Sequence, residues 1–119
     1  MTATADLLER LQQWRDTTLE ERQAIQGGHW ELVAACQARK SEWMRDWPFA
    51  PTHLAGEPPE VRALVEEILA LERGNYDALT AGLENTRQQL AAIGQSRQHL
   101  RQLRRAYGSG RASAWESWS

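Results

Sequence analysis

The side chains able to do chemistry in this 119-residue chain are few and far apart. Its three histidines, His29, His53 and His99, fall in three separate segments. None has a second ligand three or four residues away, the spacing that sets two ligands on one helical face, so no metal centre is expected. Glu20-Glu21 and Glu66-Glu67 are adjacent pairs, which diverge by about 100° on a helix and form no acid/base couple. Cys36 has Lys40 one helical turn away, a neighbour able to lower a thiol pKa. The simpler reading of Cys36 is a small core residue. Gly108-Ser109-Gly110-Arg111 lacks the lysine and the following helix of a phosphate-binding loop. With no convergent set of groups, the expectation is a protein that is not an enzyme, with no catalytic residues and no cofactor.

Composition narrows the class further. The chain carries 14 basic and 16 acidic side chains, a net charge of −2, which excludes the uniformly basic surface of a DNA-coating protein. Apolar residues make up 41%, enough for a thin core in one domain. A lone cysteine excludes an intramolecular disulfide and fits a reducing compartment. No run approaches the apolar length of a membrane span, and the first residues do not read as a secretory signal. A cytoplasmic protein without membrane insertion is expected.

The elements that must position these residues are helices. All four prolines (Pro48, Pro51, Pro58, Pro59) fall within twelve residues, β-branched residues are scarce, and Leu, Ala, Gln, Glu and Arg dominate. The pattern predicts an all-α fold. A first helix is expected over about 4–26, with Leu7, Leu11, Trp14, Thr18 and Ile25 on one stripe and Leu8 and Leu19 beside it. Thr4 is a candidate N-cap, and Gly27 or Gly28 ends the helix. A second helix is expected over about 29–47, with Trp30, Val33, Cys36, Lys40, Trp43 and Trp47 in near-heptad spacing and Pro48 stopping it. The two glycines between them predict an antiparallel hairpin. Residues 48–57 form a loop in which Phe49 and Leu54 could plug the bundle end.

A third, long helix is expected over about 58–107, opening on Pro58-Pro59. Its seam runs through Val61, Val65, Ile68, Glu72, Asn75, Leu79, Leu83, Thr86, Leu90, Ile93, Arg97, Leu100, Arg104 and Tyr107, with two consecutive steps of four around Leu79. Gly74, Gly82 and Gly94 are places where it could break. Unbroken, it would span about 75 Å, roughly twice the reach of the hairpin. Hairpin plus long helix make one helical domain, residues 1–107, as a three-helix bundle or coiled coil. Its uncovered seam (Leu79, Leu83, Leu90, Ile93, Leu100 and Tyr107) is then the expected surface for a client or a second copy of the chain. Residues 108–119 are read as a flexible arm carrying Trp115 and Trp118, which either pack back or anchor a partner.

Charge is uneven along the chain. Residues 1–86 carry −7, residues 87–119 carry +5, and no acidic side chain lies between Glu84 and Glu116. The run Arg97, Arg101, Arg104, Arg105 is read first as a solvated face near a helix C-terminus, with acidic residues of the N-terminal half as its partners. A nucleic-acid contact is the weaker reading, and no nucleic acid is expected as a partner.

The segment from Gly28 to Trp43 (GHWELVAACQARKSEW) resembles the signature of flagellar type III export chaperones of the FliT and FlgN kind. In that signature a turn and a "glycine, X, tryptophan, acidic, X, leucine" start lead into a helix bearing a basic residue, as Arg39-Lys40 do here. The stretch VRALVEEILALERGNYDAL resembles the third helix of those families, and Arg105-Ala106-Tyr107-Gly108 resembles their ending. The first motif is closer to FliT, the ending closer to FlgN. The resemblance implies a small cytoplasmic helical chaperone. Such a protein holds the amphipathic C-terminal helix of a filament-cap or hook-associated protein, prevents its premature assembly and delivers it to the export apparatus. It also suggests an autoinhibitory role for residues 108–119. The alternative is a structural coiled-coil protein that homo-oligomerises through its long helix and takes no client.

Overall fold

The computed structural model describes residues 3–49, 56–81 and 86–107. Helix α1 spans Ala3–Gly27, α2 Trp30–Arg45, α3 Pro59–Ala81 and α4 Arg87–Ala106. The all-α expectation holds for the described residues, and the first two helices fall within two residues of their expected ends. The expected continuous third helix is instead two helices. The longest dimension of the fold is 43 Å, well short of the roughly 75 Å such a rod would need.

Local chemistry explains the end of α1 and the starts of α3 and α4. Gly28 has φ +70°, and the His29 N–H donates to the Ala24 carbonyl (2.9 Å) while the Gly28 N–H donates to Ile25 (3.2 Å). These paired bonds consume the carbonyls left over at the end of α1, a closure that suits glycine. Thr4 already lies inside α1 and does not cap it. Pro59 opens α3, where its missing N–H has no intrahelical partner to lose. Thr86, expected as one more step of a continuous seam, is the N-cap of α4: its hydroxyl accepts from the Gln89 N–H at 3.0 Å. The Gln89 side chain then reaches back and donates to the Leu79 carbonyl at 2.6 Å, satisfying an acceptor in the last turn of α3.

The helices pack as two hairpins side by side. Trp14 meets Glu72 and Arg22 meets Asn75, so α1 and α3 run the same way. Gln37 meets Ala92 and Trp47 meets Tyr107, so α2 and α4 also run the same way. Around the bundle the order is α1, α2, α4, α3. Residues 46–49 follow α2 at one end of the bundle. There Trp47 stacks edge-on against Phe49 (5.4 Å) and Tyr107 (6.5 Å), closing that end as expected for Phe49. Leu54 and the tail 108–119, with Trp115 and Trp118, lie outside the described residues.

Two apolar clusters result. The larger joins Leu7, Leu11, Trp14, Val61, Leu64, Val65, Ile68, Leu69, Leu100, Leu103 and Tyr107. The smaller joins Ala24, Ile25, Val33, Leu79 and Ala92 at the opposite end. Of the four hairpin tryptophans, Trp14 is fully buried, while Trp30, Trp43 and Trp47 are half-buried against these clusters.

A buried polar layer as candidate functional site

Between the two clusters lies a layer of polar side chains. The helical stripes of α1, α2 and α3 each place a polar residue at core positions here: Thr18 and Glu21, Gln37 and Lys40, Glu72 and Asn75. Helix α4 adds Ser96 and His99, and all eight are buried. Lys40 is the hub. Its ammonium donates to Glu72 Oε2 at 2.8 Å, to Glu21 Oε1, and to the Thr18 hydroxyl at 3.4 Å, so each of its three protons has an acceptor. Glu72 Oε2 also accepts from the Trp14 indole N–H at 2.7 Å. Gln37 donates to Glu21 Oε2 (3.0 Å) and to the Ala92 carbonyl (2.9 Å), tying α2 to both neighbours. Asn75 donates to the Thr18 carbonyl (3.0 Å) and accepts from Arg22 Nε (3.2 Å). Gly74 leaves room for that arginine: a Cβ there would lie 2.5 Å from Arg22 Nη2.

The protonation states follow from burial and neighbours. Burial opposes the Lys40 charge, but Glu72 and Glu21 outweigh it and hold the ammonium above its usual pKa. Burial also opposes ionisation of Glu72. The Lys40 and His99 environment and the bonds from Lys40 and Trp14 nevertheless keep its carboxyl below the ordinary value. Glu21 goes the other way: burial raises it, Lys40 opposes this, and the Glu72 charge adds to the rise. Lys40 thus favours the charged form of Glu72, while burial makes Glu21 easier to protonate than an exposed glutamate.

His99 is pushed down to about 4 by burial, with Glu72 opposing and Lys40 reinforcing the shift, so its ring is neutral at pH 7. The Ser41 hydroxyl lies 2.9 Å from His99 Nε2 and 3.2 Å from Gln95 Oε1. The serine has one proton, so it either donates to Gln95 and accepts from a protonated His99 Nε2, or donates to that nitrogen itself. His99 Nδ1, Ser96 Oγ and Glu72 Oε1 have no hydrogen-bond partner among the described residues. This layer combines a lysine, two carboxylates and an imidazole, yet every one of the four is closed to solvent. Its hydrogen bonds and ion pairs tie the helices together at one level of the bundle.

The sequence-predicted residues are dispersed by the fold. Leu79, Leu100 and Tyr107 belong to the chain's own core, Ile93 is half-buried against the smaller cluster, and Leu90 is 55% exposed. Leu83 lies outside the described residues. Folding the expected rod in two is the reason: α4 turns its apolar side onto the other helices, and among the described seam residues only Leu90 stays exposed. Cys36 is buried, and burial together with Glu20 pushes its thiol above the usual value despite Arg39 and Lys40. The core reading of Cys36 therefore stands. Among the described residues no group of three His, Cys, Asp or Glu side chains could hold a metal ion, and no helix is long and apolar enough to cross a membrane.

A groove of about 500 Å³ runs between α2 and α4. Trp30 stands at one end, and Ala34, Ala38, Ser41, Ala91 and Gln95 line it. A smaller apolar recess of about 300 Å³, with Met44, Trp47 and Phe49, continues between the same helices toward the end of α4. Compared with known proteins, the chain matches no family model, no curated protein and no solved structure.

Proposed function

We propose that this protein is a non-catalytic helix-binding chaperone of the flagellar export kind. On this reading it holds the amphipathic helix of a filament-cap or hook-associated protein and hands it to the export apparatus. The observation that carries this is the α2–α4 groove, whose walls are mostly alanine, serine and glutamine. Small side chains let a third helix approach closely, and Trp30 at one end supplies a broad apolar contact. The likeness of residues 28–43 to the chaperone signature falls on α2, the helix that forms one wall. The client site thus moves from the seam expected on a long third helix to the opposite side of α4. The alternative of a structural rod needs a helix of about fifty residues, whereas the longest among the described residues, α1, has 25.

Ala38→Trp and Ala91→Trp test the reading, because both positions are exposed groove walls and each indole would fill the space a client helix needs. Labelled peptides from the C-terminal helices of filament-cap and hook-associated proteins, titrated by fluorescence anisotropy, should bind the wild type and lose most affinity to either variant. Saturable binding left unchanged by both substitutions, or no binding to the wild type, refutes it.

A further inference from the structure

Helix α4 carries Arg87, Arg97, Arg101, Arg104 and Arg105 and no acidic residue. The sequence leads one to expect that carboxylates of the acidic N-terminal part neutralise these arginines. They do not: none of the ion pairs among the described residues involves an α4 arginine. Arg97 is held by the α3 residue Tyr76, donating to its hydroxyl at 2.7 Å with the guanidinium 5.6 Å from the ring centre. Arg104 is half-buried, and its Nη1 is enclosed without a hydrogen-bond partner among the described residues. Successive residues turn by 100°, so Arg87, Leu90, Gly94, Arg97, Arg101 and Arg105 share the side of α4 that faces away from the core. Leu90 is the most exposed of the large apolar side chains on the described surface.

We propose that this outer face of α4 docks an acidic polypeptide segment bearing one apolar anchor, which covers Leu90 while its carboxylates meet Arg97, Arg101 and Arg105. The charge pattern selects that occupant over a nucleic acid. Residues 1–86 carry −7, so the remainder of the bundle repels a long polyanion. A short acidic segment lying along α4 meets only the basic stripe. Guanidinium groups also match carboxylates in two-point geometry, and Arg97 is already oriented by Tyr76. Leu90, Arg97 and Arg101 do not line the α2–α4 groove, and Arg105 borders the recess that continues it, so a segment on this face leaves the groove itself open to a client helix.

The test uses the full chain and a synthetic helical peptide with glutamates at i, i+4, i+7 and i+11 and one central leucine. Its partners in the experiment are the same peptide with lysines for glutamates and a DNA duplex of similar length. Amide chemical shifts should change along α4 with the glutamate peptide and not with the lysine peptide. Arg101→Glu combined with Arg105→Glu replaces two exposed side chains, and circular dichroism checks that the fold survives. The pair should weaken the glutamate peptide about tenfold or more and allow the lysine peptide to bind. Arg101→Gln with Arg105→Gln should weaken the first without admitting the second. Leu90→Ala should weaken the glutamate peptide severalfold. Absence of α4 shifts, equal binding of both peptides, or tighter binding of the duplex through the same arginines overturns the proposal.

Discussion

Lys40 on α2 donates to Glu72 on α3 at 2.8 Å across the diagonal of the bundle, and neither side chain is exposed to solvent. The bond joins helices that are not ring neighbours, at the level where the two apolar clusters meet.

Removing Lys40 alone should be severe, because two carboxylates would then share a dry site without a cation. Lys40→Met is expected to cost about 3–5 kcal/mol in urea unfolding. Adding Glu21→Gln and Glu72→Gln should recover most of that loss, since the amides need no counter-ion and the one introduced on α3 can still accept from Trp14. A triple variant as unstable as Lys40→Met alone would show that packing around the lysine stem, and not charge, is what the layer contributes.

His99 should make stability fall on acidification. Its folded pKa lies at about 4 against 6.5 when unfolded, so the unfolded chain binds the proton first. Its contribution is complete above pH 6.5 and lost as pH falls toward about 4, amounting to about 3 kcal/mol. Glu21, whose folded pKa is raised, works in the opposite sense: its contribution is present below the ordinary glutamate value and fades as pH rises. The comparison that isolates the histidine is wild type against His99→Gln, by urea midpoint at steps from pH 7 to pH 4. The stability difference between them should shrink across that window. A constant difference would mean that the ring keeps an ordinary pKa in the folded state.

Much of this fold is legible in the sequence, and its limits have physical causes. Gly28 and Pro59 mark their helix ends because one tolerates a positive φ and the other lacks an N–H, both properties of the single residue. Thr18, Lys40, Glu72 and Asn75 likewise stand on apolar stripes in the sequence, and three helices interrupted by polar residues are the signal for a buried layer. What the stripe cannot give is the partner. Gln37 reaches the Ala92 carbonyl and His99 the Ser41 hydroxyl across more than fifty residues, and only the order of helices around the bundle decides such pairs. The division of the third helix fails for a related reason. The two steps of four at Leu79 suit a relaxed coiled coil as well as a helix ending, and Thr86 reads as a seam residue until Gln89 is seen beneath it.

The α3–α4 junction should therefore depend on two side chains that a continuous helix would not need. Thr86→Ala removes the cap of α4 and should cost about 1 kcal/mol. Gln89→Leu leaves the Leu79 carbonyl buried without its donor and should cost about 1–3 kcal/mol. Hydrogen exchange should quicken at the first amides of α4 in the first variant, beginning with Gln89, whose N–H loses its acceptor. Unchanged protection there would mean that packing alone holds the turn.

Cys36 should react as a sequestered thiol. Its side chain is buried, burial and Glu20 raise its pKa, and the nearby guanidinium of Arg39 (Nη2 to Sγ 3.8 Å) does not reverse this. In native buffer a maleimide should label it only as fast as the bundle opens, and labelling in urea should be immediate. Lys40→Met, by destabilising the same part of α2, should speed native labelling in proportion to the lost stability, because the open state becomes more populated. Fast labelling of the native wild type would point instead to a thiolate maintained by Lys40 and to a reactive role for this cysteine.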